Sequence, residues 1–362
     1  MDIRNLSIRF ALTLIPIFLS VALTATLILI LGGDPISVYS TLWESAFQDQ
    51  SAYAKVFNFW IPLTLASAGL VVTFTAGLWN IGVEGQIMMG AVFASWGAQF
   101  LNLPPILLIP ATLALSALGG ILWGLLAGVL KTRFGVHEIF GGVALNAIAN
   151  NVAIFLIAGP WQPPEGGSAQ STAPFPEASW LPVYSSDFPV PTVMLIVTII
   201  SLLVVGFLLN YTRWGLELKA VGKNARSALL LGVRTERVSL SAFALGGALA
   251  GLAGAHRVLH FYHSLRPLVS GGIGFLGLLI VLLVGFRIIL MPFIAFILAA
   301  LLSGSTRLQA LQRIRPELVG DSSLVGVLQG TLVLMILYFN GIRERWFSAS
   351  NTSKSKRGTT DE

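Results

Sequence analysis

Cysteine is absent from this 362-residue chain, and charged residues make up only 10% of it. Without cysteine there is no disulfide, no thiolate metal site and no cysteine nucleophile. Charged residues form about 25% of an ordinary soluble domain, so their scarcity here excludes that class of protein. Hydrophobic residues instead reach 55%, and the mean hydropathy is +0.81. We therefore predict an all-α polytopic membrane protein.

A phosphate-binding loop is also missing, since its G-x-x-x-x-G-K-[ST] pattern needs Ser or Thr after the lysine. The nearest stretch, GLELKAVGKN at 215–224, has the wrong spacing and ends on Asn224. His256, His260 and His263 are spaced to share a helix face, but no Asp or Glu close in sequence supports a metal site. We interpret these histidines as interfacial polar residues. We expect no enzyme, no catalytic residue, no metal and no cofactor in this chain.

Ten apolar stretches are candidate membrane spans, since a span needs about 20 mostly apolar residues. Those at 272–286 and 288–303 are short and separated by Arg287, so they could form a broken or re-entrant pair. We expect a single transmembrane domain over 1–345 and a polar, disordered tail over 346–362. The predicted spans are 10–31, 57–77, 82–101, 105–130, 138–158, 190–210, 239–258, 272–286, 288–303 and 323–341.

The distribution of Lys and Arg predicts the orientation, because basic residues favour the cytoplasmic side. With ten alternating spans and both termini in the cytoplasm, most of the 22 basic residues are cytoplasmic, and the segment 211–238 is the longest basic stretch. The basic group at 307–315 conflicts with this topology unless it lines a vestibule or packs against acidic neighbours such as Glu317 and Asp321, or unless the last spans are miscounted. The basic residues then placed outside are Lys55, Arg257, Arg266, Arg307, Arg313 and Arg315.

Three polar residues interrupt the apolar stretch GLWNIGVEGQIMMGA at 77–91, namely Asn80, Glu84 and Gln86. An ionisable group at membrane depth costs from roughly 2.5 kcal/mol upward and usually faces a cavity or a partner. The glycines at 82 and 85 could break a helix here. Two interpretations remain open. The residues line or gate a pathway, or they form a structural turn or cap between two spans.

A second polar cluster lies at 135–151, where Asn146 and Asn150 are four residues apart and share a helix face. They bind neighbouring helices, at about 0.6 kcal/mol per hydrogen bond in membranes, or they line a pathway. The run GGALAGLAGA at 246–255 predicts close helix packing, because its small residues recur on one face.

The segment 211–238 combines charges, turn glycines and a short amphipathic stretch from Asn224 to Leu231. A short helix on the cytoplasmic face could dock in a groove of a partner protein. The alternative is an ordinary basic loop attracted to anionic lipid headgroups.

These motifs resemble the permease subunits of bacterial ABC importers for branched-chain amino acids, ribose-type sugars and nucleosides. The resemblance covers roughly 57–340 and rests on GLWNIGVEGQIMMGA, on KTRFGVHEI with LNAIA, and on GLELKAVGKNARSALLLGV followed by ALGGALAGLAGA. The N-I-G-x-E-G-Q form is most similar to the nucleoside branch. At three places the chain departs from the family pattern: His137 with Gly141 and Gly142 replaces Asn and a Ser-Thr pair, Leu276 replaces Asp, and Ala225 replaces a common Pro in the coupling block.

The resemblance implies a multi-pass permease in the bacterial plasma (inner) membrane that moves a nucleoside or a similar solute by alternating access. It implies three partners: a cytoplasmic ATPase that binds ATP and Mg, a second permease that is identical or paralogous, and an extracytoplasmic substrate-binding lipoprotein. Asn80, Glu84, Gln86, Asn146 and Asn150 would line or gate the pathway. A coupling helix near 219–233 would engage the ATPase, with contributions from Gly215, Glu217, Lys219, Ala220, Gly222, Asn224, Ala228 and Gly232.

Three other functions are retained as alternatives. An ion-coupled secondary transporter would use Glu84 as its coupling carboxylate and would need no ATPase-docking helix. A non-transporting membrane scaffold would need neither a coupling carboxylate nor an ATPase-docking helix. Within the family, the alternative is an ABC permease for sugars or branched-chain amino acids.

Overall fold

The computed structural model describes residues 19, 21–30, 33–163, 170–314, 330, 331, 334 and 338. Within these residues the regular secondary structure is helical throughout, as the sequence predicts. The predicted span 10–31 lies partly outside the described residues, and the span 323–341 lies largely outside them. The predicted tail 346–362 lies wholly outside them.

The helices are numbered here in chain order. The first six are α1 (Val21–Ile30), α2 (Pro35–Phe47), α3 (Gln50–Thr75), α4 (Val83–Phe100), α5 (Pro105–Thr132) and α6 (Glu138–Ala158). The next six are α7 (Thr192–Tyr211), α8 (Arg213–Lys223), α9 (Ala225–Leu230), α10 (Thr235–His256), α11 (Ile273–Leu283) and α12 (Met291–Ile314). A π turn, Arg257–Phe261, extends α10.

Five of these helices are long and apolar enough to cross a membrane: α3, α5, α6, α7 and α10 extended to Phe261. They correspond to the predicted spans at 57–77, 105–130, 138–158, 190–210 and 239–258. Helices α1 and α11 and the part of α12 from Met291 to Arg307 are shorter apolar helices. The ten-span count and the cytoplasmic position of both termini stay predictions.

Helix α10 lies at the centre of a compact unit formed by Asp49–Ala299, where it packs against α3, α4 and α5. Its glycines bring the helix backbones together. A Cβ atom on Gly69 of α3 would lie 2.7 Å from the carbonyl oxygen of Gly246, and one on Gly120 of α5 would overlap the backbone of Gly247. A Cβ on Gly90 of α4 would likewise overlap Gly251. The close packing predicted from GGALAGLAGA is therefore confirmed.

The proline-rich connection between α6 and α7 packs over one end of α10. The backbone N–H of Phe175 donates to the carbonyl of His263 at 2.8 Å, and the N–H of Thr172 donates to the carbonyl of Leu265 at 3.0 Å. Trp180 stacks on His263 with 3.9 Å between the ring centroids. These contacts fix the segment that follows α10.

A second unit comprises the described residues of 1–48 and 300–362. Asp34 caps α2 by accepting from the N–H of Ile36 at 3.1 Å, and the Tyr39 hydroxyl donates to the Val21 carbonyl at 2.7 Å. Arg307, one of the basic residues that the sequence topology places outside, lies 3.8 Å from the Glu44 carboxylate. The division of the chain at residue 345 stays a prediction.

Candidate functional site

A turn of residues 76–82 connects α3 to α4 and holds the first polar pair. Gly77 takes a left-handed φ of +72°, which glycine adopts without strain. Asn80 and Gln86 are only 1% and 0% exposed, and their side-chain amides form two reciprocal hydrogen bonds of 3.0 Å. Each amide donates once and accepts once, so each side-chain N and O atom of the buried pair has a hydrogen-bond partner. The pair fastens the turn to the beginning of α4.

Asn146 of α6 holds the same turn from the other side. Its Oδ1 accepts from the backbone N–H of Gly85 at 2.7 Å, and its Nδ2 donates to the carbonyl of Ile81 at 2.9 Å. Gly85 lies in the first turn of α4, where backbone N–H groups have no partner within the helix. A Cβ atom on Gly85 would lie 3.0 Å from Asn146 Oδ1, so glycine permits this close approach. Asn146 thereby ties α6 to the α3–α4 turn.

Glu84 has a different partner, the N-terminus of α11. Its Oε1 accepts from the backbone N–H of Phe275 at 3.0 Å, and the residue is 7% exposed. Helix α11 follows Gly272, which has a left-handed φ of +79° and no side chain to cap the helix. A carboxylate is favoured here because it satisfies an unpaired N–H group and the positive end of the helix dipole. Glu84 therefore acts as a cap for a helix that is remote in sequence.

Arg257, in the π turn at the end of α10, is a buried charged residue that holds the segment leading into α11. The side chain is only 4% exposed, whereas the sequence topology places this residue on the outer side. Its Nε donates to the carbonyl of Val269 at 3.0 Å, and its Nη2 donates to the Tyr262 hydroxyl at 2.8 Å. The guanidinium lies 4.4 Å from the ring centroid of Phe261. These contacts bind the segment 262–272 to α10.

Asn150 of α6 also holds the segment 262–272. Its Oδ1 accepts from the backbone N–H of Leu268 at 2.9 Å. Leu268 has a φ of +53°, a region that leucine rarely adopts, and this hydrogen bond helps to keep it there. Asn146 and Asn150 therefore both bind backbone groups of other segments, as the first of the two interpretations of this pair states. Lining of a pathway by either residue stays a prediction.

The five predicted pathway residues thus fall into three places rather than one. Asn80, Gln86 and Asn146 surround the α3–α4 turn, Glu84 caps α11, and Asn150 holds Leu268. Sequence reasoning missed Trp123, whose Nε1 donates to the Leu145 carbonyl at 3.3 Å beside the same turn. It also missed the N-terminus of α11 as the partner of Glu84. Neither has a local signal, because both partnerships join segments far apart in the chain.

The segment 211–238 forms α8 and α9, joined at Asn224. The Asn224 side chain caps α9 by accepting from the N–H of Ser227 at 2.9 Å, and Ala228 is buried at 2% exposure. Beyond it the side chains of Leu229, Leu230 and Leu231 are 59%, 83% and 83% exposed. We call these three residues the leucine tip. It is an apolar surface without cover in the described part of the chain.

The other predicted coupling residues lie behind this tip. A Cβ atom on Gly222 would overlap the Thr75 carbonyl and lie 3.1 Å from the N atom of Gly77, so α8 touches the end of α3 directly. Gly215 packs in the same way on the backbone of Leu208 and Leu209. Two of the coupling residues form polar contacts on α8: Glu217 pairs with Arg213 at 3.1 Å, and Lys219 donates to Asn210 at 3.4 Å. Ala220 is half-buried, and Gly232 has a left-handed φ of +84°.

A cavity of about 390 Å³ lies where α8 meets the ends of the long helices. Gly77 and Gly222 line it together with the ion pair of Lys131 and Glu138, which joins α5 to α6. Glu236 also lines the cavity and pairs with Arg133 at 3.0 Å. The Gly77–Gly222 contact therefore borders this cavity.

The three histidines are spread along the end of α10 and the loop after it. His256 is fully buried, whereas its sequence position suggests an interfacial residue, because the loop over α10 covers this end of the helix. The ring centroids are 5.3 Å apart for His256 and His260 and 6.4 Å apart for His260 and His263. Among the described residues, no group of three His, Cys, Asp or Glu side chains is placed to hold a metal ion.

Comparison with known proteins gives a family match over most of the chain. Residues 52–337 match the family described as "Branched-chain amino acid transport system / permease component". The guanosine ABC transporter permease protein NupP of Bacillus subtilis is 29% identical over 337 residues, which cover 91% of this chain and 93% of that protein. The nucleoside ABC transporter permease protein NupB of Lactococcus lactis is 28% identical over 313 residues, covering 83% and 85%.

A third relative has a different named cargo. The glucose ABC transporter permease protein TsgB13 of Haloferax volcanii is 27% identical over 285 residues, covering 76% of this chain and 75% of that protein. The helical fold, the apolar spans and the family match agree with one another. The chain therefore belongs to the family of branched-chain amino acid transport system permease components, and it is a multi-pass ABC transporter permease.

Proposed function

We propose that this chain is the transmembrane subunit of an ATP-driven importer and that its cargo is a nucleoside or a similar small polar solute. The leucine tip of α9 carries the proposal. Its three exposed leucines lie in the basic segment 211–238, whose charged side chains keep to water or to the headgroup surface. An apolar tip of this kind fits the groove of a partner protein, here a cytoplasmic ATPase.

A movement of the docked tip would reach the polar cluster through few contacts. Helix α8 touches Thr75 and Gly77 at Gly222, and Gly77 begins the turn that carries Asn80. Asn146 joins that turn to α6. The proposed mechanism is alternating access, in which ATPase closure displaces α8 and α9 and the permease halves expose the pathway to either side.

The relatives favour a nucleoside as cargo, since two of the three described above are named for guanosine or nucleoside transport. The relative named for glucose transport makes a hexose the second candidate. A ribose and a hexose share neutral hydroxyl groups, which buried amides recognise by hydrogen bonding. The cargo class we propose is therefore neutral and rich in hydroxyl groups.

We propose further that the complete transporter lies in the bacterial inner membrane and contains a second permease, an ATPase and a substrate-binding lipoprotein. ATP and Mg²⁺ would bind to the ATPase, and this chain would supply no catalytic residue. The segment 211–238 would face the cytoplasm, in agreement with its basic residues.

The test introduces a charge into the leucine tip in the assembled transporter. Leu230→Asp should reduce co-purification of the ATPase by about tenfold or more, because an aspartate cannot be buried in an apolar groove without a partner. Tyr184→Asp, at a similarly exposed residue of the connection between α6 and α7 (77%), is the matched control and should leave ATPase binding unchanged. Full ATPase binding by Leu230→Asp would contradict the proposal.

Uptake into proteoliposomes tests the energy source and the cargo. With ATP inside, labelled guanosine should accumulate faster than labelled glucose. Faster uptake of glucose would favour the hexose alternative. Guanosine uptake driven by an ion gradient in the absence of ATP would contradict the importer proposal and favour a secondary transporter.

A further inference from the structure

The exposed face of α6 carries an amide within a membrane span. Asn151 lies at the centre of this face, with the exposed residues Ala144, Ala147 and Phe155 around it at helical spacing. At 1.5 Å per residue, Asn151 lies about 10 Å along the axis from the end of α6 at Ala158. Since the hydrocarbon core is about 30 Å thick, this residue lies inside it.

The side chain of Asn151 retains hydrogen-bonding capacity. Its Nδ2 donates to the Ala147 carbonyl of its own helix at 3.0 Å, and this is its one side-chain bond to the described part of the chain. Asn146 and Asn150, in contrast, bind backbone groups of other segments. An asparagine amide has two donors and two acceptor sites, so Asn151 has capacity left over. Exposing such a group to hydrocarbon without a hydrogen-bond partner is unfavourable.

Helix α7 shows what a lipid-facing surface of this chain consists of. Its exposed large residues are all apolar, and no polar residue lies among them in the middle of the helix. They are Ile196, Ile199, Ile200, Leu203, Val204 and Phe207, with exposures between 45% and 68%. The face of α6 around Asn151 also exposes large apolar residues, Ile148 at 50% and Phe155 at 69%, but it differs from this surface in containing alanines and an amide.

A second observation at the same depth comes from the segment 262–272. Its backbone is irregular, Arg266 and Leu268 are exposed, and the Leu268 N–H is bonded to Asn150, the neighbour of Asn151. Leu268 is 68% exposed. Irregular backbone at membrane depth is not exposed to lipid and is tolerated only where protein buries it or where it lines water. This side of α6 therefore does not face lipid.

We infer that the α6 face at Asn151 and the adjoining segment at Leu268 form a wall of the aqueous solute pathway, and that Asn151 hydrogen-bonds the hydroxyl groups of the passing solute. The inference rests on the proposed function and names a residue that contacts the cargo. Water and a hydroxylated solute both satisfy the unused amide groups of Asn151.

The absence of native cysteine allows a direct test of water exposure. Single variants Asn151→Cys and Leu268→Cys, with Ile200→Cys on the lipid-facing side of α7 as the control, are treated with a charged methanethiosulfonate in the assembled transporter. The first two should react about tenfold faster or more than the control, because the reaction needs a thiolate, which forms in water. Equally slow reaction of all three would overturn the inference in favour of a lipid-facing surface.

A packed interface between two copies is the other outcome that would overturn it. In that case an oxidant would cross-link Asn151→Cys between copies, and the charged reagent would not react with it. The labelling needs no uptake, so a wild-type transporter that carries neither guanosine nor glucose would refute the proposed function and leave the exposure result intact.

The contact with solute is tested by uptake. Asn151→Leu should slow guanosine uptake about tenfold, because one or two lost hydrogen bonds to the solute correspond to about 1.4 kcal/mol. Asn151→Gln, which keeps the amide, should restore part of the rate, and both variants should bind the ATPase normally. Wild-type uptake by Asn151→Leu would refute the recognition role.

Discussion

Replacing Glu84 tests whether its main role is to cap α11. Glu84→Ala removes the acceptor of the Phe275 N–H, which lies 3.0 Å from Oε1. A buried donor without a partner costs about 1–3 kcal/mol. Loss of the carboxylate from the positive end of a helix adds up to about 2 kcal/mol. We therefore expect Glu84→Ala to lower the free energy of unfolding by about 3 kcal/mol, and Glu84→Gln, which keeps a carbonyl acceptor, to lower it by about half as much.

Thermal unfolding of the purified transporter measures this loss. For a unit of the size of Asp49–Ala299, 1 kcal/mol corresponds to about 2–4 °C in Tm. Glu84→Ala should therefore lower Tm by about 6–12 °C. Glu177→Ala, at an exposed glutamate of the connection between α6 and α7, is the control and should leave Tm unchanged.

Two results would refute this reasoning. The cap does not contribute if Glu84→Ala melts within about 1 °C of the wild type, a shift below about 0.5 kcal/mol. A Glu84→Gln variant with normal Tm and no uptake would instead show that the charge is needed for transport. That result would favour the gate or ion-coupling interpretation of Glu84.

Three further variants test other parts of the structure. Asn146→Leu leaves the Gly85 N–H and the Ile81 carbonyl unpaired and should lower the free energy of unfolding by about 2–4 kcal/mol, measured as a lower Tm. An unchanged Tm would show that these two hydrogen bonds do not stabilise the fold. Gly120→Leu should prevent folding, measured by detergent-soluble yield, because its Cβ overlaps Gly247. Gly206→Ala is the control and should leave the yield unchanged, since the nearest atom to its Cβ is 3.8 Å away. A normal yield of Gly120→Leu would contradict the close contact between α5 and α10. Gly222→Trp should abolish uptake and weaken ATPase binding by displacing α8 from Thr75, and retained uptake would argue against that contact as the coupling route.

The long helices and the glycine contacts could be predicted from the sequence because both depend on local patterns. Apolar runs of span length mark the long helices, and GGALAGLAGA predicts close packing whatever helix lies opposite. The position of α9 follows from the amphipathic stretch that begins at Asn224. These features are encoded within about 20 consecutive residues each.

The partners of the polar residues could not be predicted in the same way. Glu84 faces Phe275, and Asn150 faces Leu268, each more than a hundred positions away in the chain. An isolated polar residue in an apolar stretch indicates that some partner exists but does not identify it. The exposure of Asn151 could not be predicted either. It follows Asn150 directly in sequence, and only the direction of the α6 face distinguishes an exposed amide from one that binds the chain itself.

The glycine contacts of α10 have a mechanical consequence. Where helices touch backbone to backbone, no side chains lie between them that could change rotamer and let the helices slide. Helices α3, α4, α5 and α10 should therefore move as one rigid body. Helix α6 also contacts this body through the backbone, at Gly142 and Gly82, whereas the segment 262–272 is held by side-chain hydrogen bonds of Asn150 and Arg257, which can break and re-form. Motion during a transport cycle is then concentrated at these attachments, which places the moving parts beside Asn151.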